Sequence, residues 1–192
     1  MKRLVLPLAL ILALARCQRD ETSVAAGSGN AQPKKEAARG PRQQPSEAPS
    51  GTDVGSKMPE YAAMYLDGSK FDLAARRDKV VLLNVWATWC GPCRYEIPEL
   101  QAIHDRYAPR GFEVVGVSVD ESGIESVKEF VVEQKMTYPV VLDAEGKLAN
   151  ILQTSVLPTS IIVDRTGKVV WKKYGAIFKG DEELDKAIQE AL

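Results

Sequence analysis

Two cysteines, Cys90 and Cys93, stand two residues apart just after an apolar run at residues 80–85. This order predicts a strand, a turn and the start of a helix, the setting in which a Cys-x-x-Cys pair acts as a redox dithiol. A disulfide between them closes a very short loop, so it constrains the unfolded chain little and adds little stability. The sequence therefore predicts a fold that presents this pair for chemistry, with a bond that is made and broken.

The start of a helix favours the thiolate form of Cys90. An ordinary thiol has a pKa of about 8.5, so few such thiols are ionised at neutral pH, whereas the unpaired N–H groups and dipole of a helix N-terminus favour negative charge. We therefore predict that Cys90 is the nucleophile and that Cys93, one turn inside the helix, resolves the mixed disulfide. Pro92 suits the first helical turn, where no N–H is needed, and Gly91 lets a partner chain approach closely.

The charge of the chain is nearly balanced. Its 192 residues include 25 Lys and Arg against 26 Asp and Glu, which gives a net charge of −1. Proteins that bind nucleic acid concentrate basic residues on one face, so nucleic acid is not an expected partner.

The N-terminus predicts export. Lys2 and Arg3 precede an apolar run at residues 4–15, which is too short to span a bilayer as a stable helix. A basic start followed by a short apolar stretch is the pattern of a signal peptide. We assign residues 1–17 to this segment.

Two interpretations of the signal cleavage remain open. Residues 14–17 resemble a bacterial lipobox, in which Cys17 is lipidated and anchors the protein to a membrane, although Arg16 stands where that motif has a small residue. The alternative is ordinary cleavage after Ala15, which closes an A-x-A pattern. Retention of the segment as an uncleaved anchor is a third possibility.

Residues 18–53 differ in composition from the rest of the chain. They are dominated by Ser, Gly, Pro, Gln, Ala and charged residues and contain no aromatic residue. Such a segment buries too little apolar surface to offset its ordering entropy. We predict a disordered linker over residues 18–53 and one domain of ordinary size over residues 54–192.

The predicted elements of this domain alternate between strands and helices. In chain order they are a hairpin around residues 67–68, a strand at 80–87, a helix at 92–107, a strand at 112–119, a helix opened by a capping box at 122–125, a strand at 138–142, a helical segment at 147–152, a hairpin formed by 160–163 and 169–171, and a helix from residue 181. This order predicts an α/β fold, in which a mixed sheet has helices on both faces.

These motifs resemble the thioredoxin superfamily. Trp89-Cys90-Gly91-Pro92-Cys93 matches its active-site motif, and residues 86–98 and 138–143 are similar to exported thiol-disulfide oxidoreductases of the TlpA/ResA type, which have a redoxin-like domain. The resemblance covers residues 54–192. It implies a thioredoxin-like fold with an N-terminal β-hairpin and a central insertion before the second hairpin.

The resemblance also implies roles for residues outside the dithiol. Leu157-Pro158-Thr159 matches the cis-proline loop, which faces the dithiol and pairs with the substrate backbone, while an ordinary trans turn is the alternative. Glu96 matches the acidic residue after the motif, and its i, i+3 spacing from Cys93 places both on one helix face. There the carboxylate would exchange a proton with Cys93. A surface glutamate without this role is the alternative.

A tryptophan and an asparagine complete the expected site. Trp89 is expected on the substrate-facing surface, with Gly91 and Pro92. Asn84 stands where thioredoxins carry a buried aspartate, six residues before the first cysteine, and it cannot titrate. Proton handling therefore falls to Glu96 or to water.

The function implied by the resemblance is reduction of disulfides in envelope proteins, for example apocytochrome c, followed by re-reduction by a membrane thiol electron donor. The Gly-Pro spacer is that of thioredoxin and favours a reducing protein. We expect neither a cofactor nor a bound metal.

Three other classes of protein remain as alternatives, and one of them is a peptide-binding or chaperone-like protein in which the dithiol is incidental. A metallochaperone or zinc module would need about four ligands, but Cys17 lies across the linker and His104, the only histidine and expected on the helix surface, follows Cys93 by eleven residues. On one helix that separation is a rise of about 16 Å. A thiol peroxidase would resemble peroxiredoxins, which carry Thr three residues before the reactive cysteine, where this chain has Ala87.

Overall fold

The computed structural model describes residues 51–192. The predicted signal peptide, the lipidation candidate Cys17 and nearly all of the predicted linker lie outside the described residues and stay predictions. Between residues 51 and 192, no helix combines the length and the apolar character needed to cross a membrane.

One seven-stranded mixed sheet organises the described residues. Its strands are β1 (Ala62–Tyr65), β2 (Lys70–Asp72), β3 (Val80–Trp86), β4 (Phe112–Ser118), β5 (Val140–Leu142), β6 (Thr159–Val163) and β7 (Val169–Tyr174). They lie in the order β2-β1-β5-β4-β3-β6-β7. The pairs β3–β4 and β4–β5 are parallel and the other pairs antiparallel. Both predicted hairpins, β1–β2 and β6–β7, are confirmed.

The four α-helices of residues 51–192 cover the two faces of the sheet. They are α1 (Gly91–Tyr107), α2 (Ile124–Glu133), α3 (Lys147–Leu152) and α4 (Glu182–Ala191). Buried side chains of α1, α2 and α4 share one core cluster with alternate residues of β3 and β4, and α3 contributes to a second cluster with the intervening residues. The α/β prediction of a mixed sheet with helices on both faces is therefore confirmed. The segment α2-β5-α3 lies between β4 and the second hairpin, where the resemblance implies the central insertion.

The two central strands place the dithiol. Every residue of β3 and β4 is buried, as expected for apolar parallel strands covered on both sides. Because the strands are parallel, their carboxyl ends meet at one edge of the sheet, where ligand and active sites of open α/β sheets gather. Helix α1 begins at this edge, directly after the short turn that follows β3.

The predicted capping box of the second helix is wrong. The N-cap of α2 is Gly123, at φ +96°, and no side chain caps it. Ser122 lies one residue too early for that role, and its Oγ instead lies 2.7 Å from Oγ of Ser126. This helix therefore begins at a glycine in a conformation that other residues rarely adopt, and no serine hydroxyl caps it.

Gly116 in β4 has no room for a side chain. A Cβ there would lie 2.9 Å from Nε1 of Trp86 and 3.3 Å from Cε2 of Tyr138, both of them buried. We expect Gly116→Ala to lower the free energy of unfolding by about 1–2 kcal/mol, because a packed core accommodates extra volume only by shifting. Urea unfolding measures this. Gly91→Ala, with no neighbour within 4 Å of the added Cβ, is the control, and equal effects of the two changes would contradict the packing argument.

Candidate active site

Cys90 and Cys93 lie at the N-terminus of α1 and form a disulfide, with Cα atoms 5.3 Å apart. Cys90 is the N-cap residue, and its Sγ accepts a hydrogen bond from the backbone N–H of Cys93 at 3.3 Å. The N–H of Cys90 donates to the carbonyl of Ala87 at 3.1 Å, which closes the turn between β3 and α1. The predicted position at the helix start is confirmed, and a helix N–H there would stabilise a thiolate on Cys90.

Exposed aromatic side chains adjoin a nearly buried disulfide. Cys90 and Cys93 are 5% and 1% exposed, whereas Trp89 is 71% and Tyr95 82% exposed. Aromatic residues are enriched at protein interfaces. Trp89 directly precedes the dithiol in the chain, and Tyr95 follows it by two residues.

Glu96 is buried on α1, with 1% of its surface exposed. The alternative of a surface glutamate is therefore wrong. Its Oε1 accepts a hydrogen bond from Nδ2 of Asn84 at 2.7 Å, and its Oε2 accepts one from the backbone N–H of Ile177 at 2.9 Å. Nδ2 of Asn84 also donates to Oγ of Ser160 at 2.9 Å. The side chain is thus held in one position.

Burial also brings the pKa of Glu96 close to neutral pH. Loss of solvent raises its pKa from 4.5 to about 7, although the donors from Ile177 and Asn84 and the charge of Lys173 act in the opposite direction. A group whose pKa lies near the working pH is the most effective general acid or base. Glu96 stands one helical turn after Cys93, as the spacing predicted.

The Leu157–Pro158 peptide bond is cis, as predicted. Thr159 pairs with Val85 near the end of β3, so the loop lies at the sheet edge from which the dithiol turn departs. Leu157 packs against the core cluster that contains both cysteines. Together with Trp89 it lines a surface cavity of about 310 Å³. The structure therefore brings the loop and the active-site tryptophan to one side of the molecule.

Sequence reasoning did not identify Asp120, which is fully buried after β4. Its oxygens accept hydrogen bonds from the backbone N–H of Thr88 at 3.0 and 3.2 Å, from Oγ1 of Thr88 at 2.6 Å and from Oγ of Ser118 at 2.8 Å. A usable signal exists in the sequence. An acidic residue follows a buried parallel strand at its carboxyl end, where functional groups of α/β sheets collect.

No metal centre is evident among residues 51–192, where no three His, Cys, Asp or Glu side chains converge. The expected surface position of His104 is wrong. This side chain is half-buried between α1 and β4, and its Nδ1 accepts a hydrogen bond from the backbone N–H of Val114 at 3.3 Å. Burial lowers the pKa of His104.

A protein family and several proteins of known name are similar to this chain. Residues 53–188 match the Redoxin family. A thiol-disulfide oxidoreductase ResA of Bacillus cereus is 34% identical over 137 residues, which are 71% of this chain and 78% of that protein.

Solved structures show the same fold. A thiol:disulfide interchange protein of the thioredoxin family from Chlorobium tepidum TLS has a TM-score of 0.61 at 30% identity, covering 70% of this chain and 94% of its own. A secreted thiol-disulfide isomerase from Corynebacterium glutamicum has a TM-score of 0.63 at 28% identity, covering 69% and 83%. The expected thioredoxin-like fold is confirmed.

Proposed function

Because this chain belongs to the Redoxin family and is a thiol-disulfide oxidoreductase of the TlpA/ResA type, we propose that it is exported and reduces disulfides of envelope proteins. The observation that carries the proposal is the Cys90–Cys93 disulfide at the start of α1, beside the exposed Trp89. The signal-like residues 1–17 support export. Apocytochrome c, which needs reduced cysteines for haem attachment, is the proposed substrate among envelope proteins.

The proposed reaction is two successive exchanges. The Cys90 thiolate attacks one sulfur of the partner's disulfide, and the partner's other sulfur leaves with the bonding electrons and takes up a proton. The Cys93 thiolate then attacks Sγ of Cys90 and releases the second partner sulfur as a thiolate, which also takes up a proton. The partner gains two electrons and two protons, and the enzyme is left with the Cys90–Cys93 disulfide.

Glu96 supplies the proton step in this proposal. Cys93 must lose its proton before it attacks, and a carboxylate one helical turn away on the same face is positioned to accept it. Asn84 and Ile177 fix the carboxylate through two hydrogen bonds. Gly91 and Pro92 shape the turn, and residues 157–159 would pair with the partner's backbone.

Return to the dithiol form requires an electron source outside the cytoplasm. No thiol pool keeps cysteines reduced in oxidising compartments, so we propose re-reduction by a membrane thiol electron donor. Lipidation of Cys17 would hold the enzyme at the membrane near that donor.

A Cys93→Ala variant tests the proposed function. It is expected to stop at the mixed disulfide and to hold partners that dithiothreitol then releases, because no second sulfur attacks Cys90. Mass spectrometry of the released proteins from an envelope fraction identifies them. Cys90→Ser combined with Cys93→Ala is the control. Recovery of the same proteins with the control, or of cytoplasmic proteins alone, would contradict the proposal.

A further inference from the structure

A buried carboxylate holds the turn that carries Cys90. Thr88 lies within the turn closed by the Cys90 N–H and the Ala87 carbonyl. Both oxygens of Asp120 accept from the Thr88 N–H, and Oδ1 also accepts from its hydroxyl at 2.6 Å. Since Ser118 Oγ donates to the other oxygen, the carboxylate is tied to β4 and to the turn at once.

The charge of Asp120 has no counterion. None of the ion pairs among residues 51–192 includes it, and its four hydrogen bonds all come from neutral donors, which suits an ionised carboxylate. A charge in such surroundings is weakly screened and acts over distance. Two residues of chain span at most about 7 Å, and with the 3.0 Å hydrogen bond to Thr88 and the length of the cysteine side chain this places the carboxylate within roughly 14 Å of the Cys90 sulfur.

We propose that Asp120 sets the reducing strength of the dithiol by opposing a second negative charge on Cys90 while it fixes the turn. The N-terminus of α1 stabilises the Cys90 thiolate, and a like charge nearby destabilises it. A reduced form that is less stable gives up electrons more readily. Asp120 is therefore a positioning residue that acts on the Cys90 thiolate through its field, while its hydrogen bonds to Thr88 hold the turn. The inference rests on the proposed role of Cys90 as the attacking thiol.

Other charged groups near the turn that carries Cys90 differ from Asp120 in exposure or in charge state. They are Arg94 and Glu96 on α1, Glu121 after β4, Glu145 before α3 and Lys173 on β7. Arg94, Glu121 and Glu145 are exposed, so water and salt screen them. Glu96 is buried and is largely protonated below its pKa of about 7, and the buried Asp143, whose N–H donates to the Ser118 carbonyl, is the same in every variant compared. At mildly acidic pH, the effect of Asp120 on Cys90 can therefore be measured separately from that of Glu96.

Asp120→Asn removes the charge and keeps the hydrogen bonds. The amide oxygen, placed where Oδ2 lies, would accept from the Thr88 N–H and from Ser118, and the amide nitrogen would donate to Oγ1 of Thr88. Asp120→Ser is a second uncharged variant that retains a small acceptor. Thr88→Val is the matched control, because it removes one hydrogen bond and keeps the charge.

The test is alkylation of the reduced proteins by iodoacetamide as a function of pH, with peptide mapping of the modified cysteine. In Asp120→Asn we expect the midpoint for Cys90 to move to lower pH and the rate at pH 6 to rise about three- to tenfold. The equilibrium with glutathione should shift toward the reduced protein by up to about tenfold, or roughly 30 mV. Thr88→Val should change either quantity less than about twofold.

The outcomes separate the two proposals. An unchanged or higher midpoint in Asp120→Asn and Asp120→Ser overturns the inference, as does a shift of equal size in Thr88→Val. Where one uncharged variant fails to fold, the other decides. Should Cys93 be alkylated before Cys90 in the unmodified protein, the proposed roles of the two thiols fail instead.

Discussion

Cys90→Ser is expected to lower the rate of disulfide reduction by about a thousandfold or more, because a hydroxyl is far harder to ionise than a thiol and is a weak nucleophile. The fold should survive. Serine is a favoured N-cap residue, and its oxygen would take the place of Sγ as acceptor for the Cys93 N–H. Reduction of insulin with dithiothreitol as electron donor, followed by turbidity, measures the rate.

Cys93→Ser is the matched control for this prediction. It should still react once with a disulfide to form a stable mixed disulfide. Only its repeated turnover should be lost. The more buried position of Cys93, at 1% exposure, agrees with a role as the second thiol. A Cys90→Ser protein that keeps its turnover, or one that still forms mixed disulfides through Cys93 at the normal rate, would rule out the assigned order.

Glu96→Gln is expected to change how the stability of the oxidised protein depends on pH. The pKa of Glu96 is raised to about 7 by burial, so the folded state binds this proton more tightly than the unfolded state. The contribution of Glu96 to the free energy of unfolding is therefore largest below pH 4.5, falls as pH rises to about 7, and is constant at higher pH. At about 1.36 kcal/mol per pKa unit, the loss is about 3 kcal/mol.

The glutamine variant does not titrate, so it escapes this loss. Between about pH 4.5 and pH 8 its free energy of unfolding should rise relative to the unmodified protein by up to about 3 kcal/mol. Asn84 can turn its amide oxygen toward the new NH₂ group, which keeps the pair bonded at every pH. Urea unfolding at several pH values measures the difference. Glu99→Gln, on the same helix and partly exposed, is the matched control.

The same variant should slow resolution of the mixed disulfide by about ten- to a hundredfold, because the general base for Cys93 is gone. The step near pH 7 in the rate of resolution should disappear with it. Stopped-flow measurement of partner release from about pH 5 to 9 follows both effects. An unchanged profile would remove Glu96 from the mechanism, whatever its effect on stability.

The dithiol and its local setting were predictable from the sequence. A continuous apolar run, a Gly-Pro turn between cysteines and helical spacing after them define strand, turn and helix within residues 80–107, because each signal acts over a few residues. The same local patterns predicted both hairpins and the alternation of strands and helices. The capping box at residues 122–125 failed because a positive φ at Gly123 decided the start of α2.

The environment of the dithiol was decided by the tertiary structure. Helical spacing placed Glu96 beside Cys93, but its burial depends on Asn84 and on Ile177, which is 81 residues away along the chain. The bond between Asp120 and Thr88 joins residues 32 positions apart, at an edge that exists only when β3 and β4 pair. Charge state follows from burial and partners. Thus the sequence by itself indicated the dithiol and the acid one helical turn after it, and only the packed sheet decided that this acid is buried and has a raised pKa.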